Sequence, residues 1–293
     1  MFPDFMPSEV YSLENRDSIF IASCIQRDRV STPISQTDIA TAYVKLGTNN
    51  EDPPILLLHG FDSSLLEFRH LIPLLKSRWE TWAVDLLGFG FTERLPQILY
   101  NPNTIREHLY HFWQTAIARP VIVVGVSMGG AAAIDLALTH PKAVAKLILI
   151  NSVGYNGSFE IGSLLPKPMV ELGVEFWRQR RIQSLFWGKR LLDSRSEDAI
   201  RCASLPSFMP YWDKAINDFA RSGGYYRLER RIPFLDKPTL IMWGEKDDVL
   251  GIEAASRFND AIAGSKLVWL PQMGHSPQWS APELVARYIG EFV

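Results

Sequence analysis

Val121-Ile-Val-Val-Gly-Val-Ser-Met-Gly-Gly-Ala-Ala-Ala-Ile-Asp-Leu-Ala-Leu138 decides the fold. Its opening run, Val121–Val124, is continuously apolar and β-branched, as in a strand buried on both faces. Its closing run, Ala131–Leu138, is helix-like in composition. Between them lies Gly125-Val-Ser-Met-Gly129. Gly-x-Ser-x-Gly pentads are common by chance. One wedged between a buried strand and a helix is a sharp turn that strains the serine backbone and exposes its hydroxyl. Gly125 and Gly129 let strand and helix approach where a Cβ would clash. Ser127 is therefore the candidate nucleophile.

The same alternation continues outward. Residues 17–27 and 37–46 alternate apolar with polar and predict an antiparallel, hairpin-like opening. Ile55–Leu58 reads as a buried strand, 64–77 as a helix, Thr81–Asp85 as a strand, 104–118 as a helix, 128–139 as a helix and 144–150 as a strand. Thr239–Trp243 and Lys266–Leu270 are further strands, with helices over 252–263 and 282–293. Buried strands alternating with helices predict an α/β protein with a mostly parallel, doubly wound sheet covered on both faces. Residues 153–230 break the alternation and are dense in aromatics. They predict a helical cap inserted after the strand ending near Ile150. The core would then be 1–152 and 231–293, with the cap over the strand ends where ligands bind.

The chain has 293 residues, 47% of them hydrophobic, enough for one large core carrying an inserted subdomain. A net charge of −2 offers no basic face for nucleic acid. Cys24 and Cys202 lack metal-ligand spacing and suit free thiols in a reducing compartment. No apolar run approaches the roughly 18 residues of a membrane span, and Met1–Glu9 lacks the basic-then-apolar pattern of a leader. The expectation is a soluble, intracellular, cytoplasmic protein with no metal and no cofactor. Asp85-Leu-Leu-Gly-Phe-Gly90 lacks the third glycine and opening helix of a phosphate loop and reads as a turn.

A serine hydroxyl needs a base, and the base needs an orienting carboxylate. A strand–serine–helix elbow takes these partners in the chain order serine, acid, histidine. His275, in Gln272-Met-Gly-His-Ser-Pro277, follows the last strand and can drop an imidazole onto the elbow. His59 belongs to a different loop and reads as a structural hydrogen-bonder, while His70, His108, His111 and His140 sit on or just past helices. Trp243-Gly-Glu-Lys-Asp-Asp248 follows a strand and supplies the acid, with Asp247 preferred over Asp248 and Glu245. The alternative position, after the preceding strand, is Asn151, which carries no charge. The backbone N–H groups of Met128 and Phe61 are the candidate oxyanion donors.

Taken together these residues resemble the α/β-hydrolase superfamily across nearly the whole chain. Pro54–Ser64, Glu80–Asp85 with Leu87–Phe91, and Ser222–Tyr225 are similar to the chlorophyll dephytylase branch of plants and cyanobacteria. That resemblance implies hydrolysis of the phytyl ester of chlorophyll to chlorophyllide and phytol, with the triad matching Ser127, Asp247 and His275. Val126, Met128, Gly130 and Asn151 depart from the branch. Such a role would place the protein at the periphery of a photosynthetic membrane. Phe61, Trp177, Phe186, Trp187, Phe208, Tyr211 and Trp212 are the candidate substrate-pocket residues. Cap residues Arg178, Arg180, Arg181, Lys189, Arg190 and Arg195 suit either a solvated face or peripheral contact with an anionic lipid surface. Other enzymatic readings are a different carboxylesterase, a meta-cleavage carbon–carbon hydrolase and a perhydrolase. Of another class is a non-catalytic receptor for a small apolar molecule.

Overall fold

The computed structural model describes residues 1–48, 51–157, 159–187 and 194–293, leaving aside the side chains of residues 184–187, 194 and 195. Eight strands, β1 (Gln26–Val30), β2 (Ile39–Leu46), β3 (Ile55–Leu58), β4 (Thr81–Val84), β5 (Val121–Val126), β6 (Val144–Ile150), β7 (Thr239–Gly244) and β8 (Lys266–Leu270), form one sheet. Their order is β1-β2-β4-β3-β5-β6-β7-β8. β1 and β2 join antiparallel and every later pairing is parallel. The flanking helices are α1 (Arg16–Ser23), α2 (Ile72–Leu75), α3 (Pro102–Phe112), α4 (Met128–Thr139), α5 (Glu160–Leu164), α6 (Lys167–Trp187), α7 (Ser194–Ser204), α8 (Trp212–Arg221), α9 (Glu253–Ala261), α10 (Pro277–Ser280) and α11 (Pro282–Phe292).

Alternate residues of a strand point to opposite faces, and β5 shows both faces buried. Val121 and Val123 pack into a layer with Ile105 and Phe112 of α3, Ile134 of α4 and Phe258 of α9. Ile122, Val124 and Val126 pack into the other layer, with Ile21 of α1, Leu75 of α2 and Ile289 of α11. This is the doubly wound α/β arrangement expected from the strand–helix alternation. Between β6 and β7 the described residues hold helices and turns and no strand. This stretch, the expected cap, shares the first core layer through Val170, Val174, Trp212 and Phe219.

The N-terminal region departs from expectation. Residues 17–27 do not form a strand. α1 covers most of them and the ladder starts only at Gln26. Asn15 caps α1 by accepting the N–H groups of Asp17 and Ser18. Ser18, Ile21 and Ala22 turn inward at helical spacing. The contiguous run Ile19–Ala22 satisfies either period, and the cap decides. The helix expected over 64–77 is broken into a tight turn at Leu65–Phe68 and the short α2, whose first turn holds Pro73. α3 begins earlier than expected because Asn101 and Thr104 cap it reciprocally, and it gives way to a wider turn at Trp113–Ile117.

The parallel ladder brings the C-terminal ends of β3, β5, β6, β7 and β8 to one edge. β3 sits between β4 and β5, so the loops leaving its neighbours diverge and open a crevice at that edge.

Under the sheet, His108 of α3 is buried with its Nε2 2.8 Å from Thr41 Oγ1. Burial, with a smaller push from His111, drives its pKa down to about 3. Below the ordinary histidine value the unfolded chain takes this proton and the folded chain does not, so stability falls as pH drops toward that value. We expect His108→Gln to make unfolding free energy less dependent on pH between about pH 6 and 4, by roughly 1.4 kcal/mol per pH unit. Urea unfolding at stepped pH measures this, and an unchanged slope would refute a neutral buried His108.

Candidate active site

Ser127 closes β5 and opens α4 with φ 51° and ψ −120°, a backbone conformation that an L residue rarely adopts. Its N–H donates to the Ile150 carbonyl at 3.0 Å, and its carbonyl accepts from Gly130 and Val153, each at 3.0 Å. A Cβ on Gly125 would lie 2.4 Å from the Gly129 carbonyl oxygen, and one on Gly129 would lie 2.1 Å from that of Leu58. The two glycines of the pentad are thus required by close backbone approach. Met128 is the first residue of α4, where N–H groups have no intrahelical acceptor.

Beyond β7, Asp247 is buried and its carboxylate faces His275, with Nδ1 at 2.9 Å from Oδ2 and 3.1 Å from Oδ1. The N–H groups of Val249 and Leu250 donate to the same carboxylate at 2.9 and 3.0 Å. Burial pushes Asp247 up, but the His275 hydrogen bond and charge and the two N–H donors together hold it below the usual carboxylate value. An ionised carboxylate only accepts, so it fixes the imidazole proton on Nδ1 and leaves Nε2 with its lone pair. Asp248 is exposed.

Asn151, at the end of β6, is the fastener of this arrangement. Its backbone is left-handed (φ 42°), and its side-chain amide donates to the carbonyls of Gly274 at 2.9 Å and His275 at 2.8 Å. Its Oδ1 accepts the Gly244 N–H at 2.8 Å. One amide therefore ties the histidine loop to the strand that carries the acid. Sequence reading set Asn151 aside for lacking charge. Its place directly after a central strand was the available signal.

The loop after β3 is held from below. His59 is fully buried, its Nδ1 donating to the Gly60 carbonyl at 2.8 Å and its Nε2 accepting the Leu86 N–H at 3.1 Å. Burial pushes it down to about 4, so it is a neutral structural group. Glu67 accepts the Gly60 N–H at 2.9 Å and the Gln278 side-chain amide at 2.7 Å. Burial raises Glu67, while Gly60, Ser63, His275 and Gln278 oppose the rise. Glu67 was not singled out from sequence. In the neighbouring turn, the Asp85 carboxylate accepts the N–H groups of Leu65 and Phe91, and a Cβ at Gly90 would strike it at 2.1 Å.

Two chambers meet at Ser127. One, of about 310 Å³, is walled by Phe61, Met128, Val153, Phe159, Phe219 and Leu250, with Ser127 and Tyr225 also on its lining and no charged side chain. The other, of about 370 Å³, holds His275 together with Glu67, Arg69, Ser276, Gln278 and Trp279. Ser127, Phe61 and Val249 belong to both. Among the described residues there is no cluster of three or more His, Cys, Asp or Glu able to hold a metal ion. No described helix is long and apolar enough to cross a membrane.

Residues 55–288 match the family model described as Alpha/beta hydrolase family. The chain belongs to this family. It is 32% identical over 302 residues to the alpha/beta hydrolase domain-containing protein VTE7 of Arabidopsis thaliana, covering 99% of this chain and 90% of the relative. It is 26% identical over 282 residues to a 2-hydroxymuconate semialdehyde hydrolase of Pseudomonas sp. (strain CF600), covering 90% of this chain and 97% of the relative. Among solved structures, a probable hydrolytic enzyme of Pseudomonas aeruginosa PAO1 superimposes with a TM-score of 0.73 at 22% identity, over 92% of this chain and 94% of that one.

On this alpha/beta hydrolase scaffold several predicted pocket residues take other places. Phe61 walls both chambers and packs on Phe159, with ring centroids 4.6 Å apart. Trp177 lines a neighbouring surface groove with Phe176. Trp212 is buried in the core with its indole N–H on Asp62. Tyr211 is half-exposed, and neither it nor Phe208 walls either chamber. The side chains of Phe186 and Trp187 lie outside the described residues, as do those of Lys189, Arg190 and Arg195. The chamber aromatics are instead Phe159, Phe219 and Tyr225. Arg181 does not join an exposed basic cluster, because it pairs with Asp62 at 2.8 Å.

Removing the Asn151 amide strands three backbone groups, one buried and two part-buried, and puts a less tolerant residue at a left-handed position. Asn151→Ala is expected to cost about 2–4 kcal/mol of stability. It should also lower hydrolytic turnover, as chemical denaturation and steady-state kinetics will show. Full turnover in a folded variant would refute the fastening role.

Proposed function

We propose that this chain is a serine hydrolase that cleaves a bulky hydrophobic carboxylic ester through an acyl-enzyme, with the phytyl ester of chlorophyll as the candidate substrate. The observation that carries this reading is the strained Ser127 at the meeting of two chambers, beside a His275 whose tautomer Asp247 sets. His275 Nε2 takes the Ser127 proton as Oγ bonds to the ester carbonyl carbon. The carbonyl oxygen becomes an oxyanion and accepts the N–H groups of Met128 and Phe61. The oxyanion then collapses, the bond to the alcohol oxygen breaks, and His275 protonates the departing alkoxide. Water, deprotonated by His275, adds to the acyl carbon, and release of the acid restores Ser127. Asp247 stays ionised throughout and stabilises the imidazolium.

The apolar chamber suits an aliphatic arm, since each methylene moved out of water contributes about 0.8 kcal/mol. The stretches that resemble the dephytylase branch converge on it. Phe61 and Tyr225 line the chamber, and Phe89 packs edge-on against Phe61 at 5.7 Å. A second reading, carbon–carbon bond hydrolysis of a small polar ketone, is favoured by the polar chamber. There Glu67, Arg69, Ser276 and Gln278 bring polar side chains to the lining. The semialdehyde hydrolase relative points the same way.

The decisive experiment incubates wild type and Ser127→Ala with detergent-solubilised chlorophyll, beside a short nitrophenyl ester, and separates pigments by chromatography. Chlorophyllide should form with wild type alone. Cleavage of the short ester without chlorophyllide would discard the named substrate and keep the chemistry, and stoichiometric pigment binding without turnover would favour a receptor. Ser127→Ala should lose about 10³-fold or more in turnover with its fold intact. Asp247→Asn should lose about 10³-fold or more, whereas Asp248→Asn should stay within about threefold, since surface changes rarely matter. The reverse order would overturn the acid assignment.

A further inference from the structure

Asp62 directly follows Phe61 and is itself left-handed, with φ 51°. Its carboxylate is only 2% exposed, and three donors from the cap converge on it. Trp212 Nε1 donates to Oδ1 at 2.8 Å, Trp177 Nε1 donates to Oδ2 at 2.8 Å, and Arg181 Nη1 lies 2.8 Å from Oδ2. Arg181 Nη1 also donates to the Asp62 carbonyl at 2.9 Å and to that of Ala203 at 3.0 Å. On the other side of Phe61, the Gly60 N–H is held by Glu67, a residue of the core. The two neighbours of Phe61 are thus anchored to different bodies, Gly60 to the core and Asp62 to α6 and α8 of the cap.

We infer that Asp62 is a positioning residue that makes the placement of the Phe61 N–H depend on the docked cap, so that the oxyanion site is complete only when α6 and α8 are seated. The inference rests on the serine-hydrolase reading above, in which Phe61 supplies one oxyanion donor. Lifting α6 would leave a buried carboxylate without its guanidinium and one indole, an arrangement strongly disfavoured in an apolar setting. Loop and cap therefore move together. A displacement of about 1 Å at a reacting group can cost on the order of 10²-fold in rate, so a latch one residue from the donor has direct leverage on turnover.

The test uses Asp62→Asn, which keeps the shape and removes the charge, and Trp177→Phe, which removes one latch donor from a half-exposed site and should fold normally. Three readouts are taken: kcat and KM on a short nitrophenyl ester, affinity for a trifluoromethyl ketone, and amide hydrogen exchange. The ketone accepts Ser127 Oγ at its carbonyl carbon, with the serine proton passing to His275, and so reports the oxyanion site directly. A matched methyl ketone, which does not add, serves as control. Asp62→Asn should lower kcat by about 10- to 100-fold, within the range for a weakened oxyanion donor, with KM within about twofold. Trifluoromethyl ketone affinity should fall by the same factor, with the methyl ketone unchanged. Trp177→Phe should show the same pattern to a smaller degree, and in both variants exchange at residues 59–64 should quicken while the sheet stays protected. Unchanged kcat and ketone affinity, or a loss confined to KM for long esters, would overturn the inference and leave Asp62 a plain staple between cap and core. Exchange needs no turnover. A wild type inert to ester and ketone would therefore count against the hydrolase reading, while loop exchange in Trp177→Phe would still decide whether the loop follows the cap.

Discussion

The backbone of Ser127 is the constraint on which the site depends. A φ of 51° at a residue with a side chain is costly and persists only where the surroundings over-determine it. Here they do. The Ser127 N–H continues the ladder to Ile150, its carbonyl takes the N–H groups of Gly130, Ala131 and Val153, and the helix that follows comes so close to β3 and β5 that Gly125 and Gly129 admit no Cβ. The pentad is better understood as a packing requirement than as a signature. Two positions must lack side chains so that strand and helix can close, and the closure throws Ser127 outward at the edge where the parallel strands end.

The histidine faces the opposite problem. It sits on a loop, and loops are mobile unless their backbone polar groups are satisfied. Asn151 resolves this with one amide that takes both carbonyls of the Gly274-His275 pair and the N–H of Gly244. The acid is held just as firmly by the N–H groups of Val249 and Leu250, which also keep it ionised. Acid and histidine are therefore pre-set relative to each other before any ligand arrives, and the Nδ1 proton has one place to be. Such pre-organisation costs nothing at the moment of reaction.

What could be read from the chain follows from this physics. The meeting of Ser127, Asp247 and His275 at one edge was legible because each follows a strand whose apolar run is unambiguous, and strand ends of a parallel sheet meet at one edge. The chamber walls were not legible. Trp177 and Trp212 look like greasy lining in sequence, but an indole also carries an N–H, and both N–H groups are spent on Asp62, more than a hundred residues earlier. Contacts at that separation leave no trace in local periodicity. Of the actual wall, Phe159 is an isolated aromatic with nothing beside it to mark it, while Phe219 shares the inward helical spacing of Trp212, Ala215 and Ile216, which shows that it is buried but not what it faces. α1 was misread for a different reason, since Ile19–Ala22 fits either period and only the Asn15 side chain chooses between them.

The contrast between the two chambers bears on what kind of molecule the site is built for. An apolar chamber alone would accept any fatty chain, because hydrophobic contact has little directional preference. The His275 side is lined by charged and amide side chains, Glu67, Arg69 and Gln278, which the other chamber lacks. Directional contact is therefore available on one side of Ser127 and Phe61, and undirected apolar contact on both.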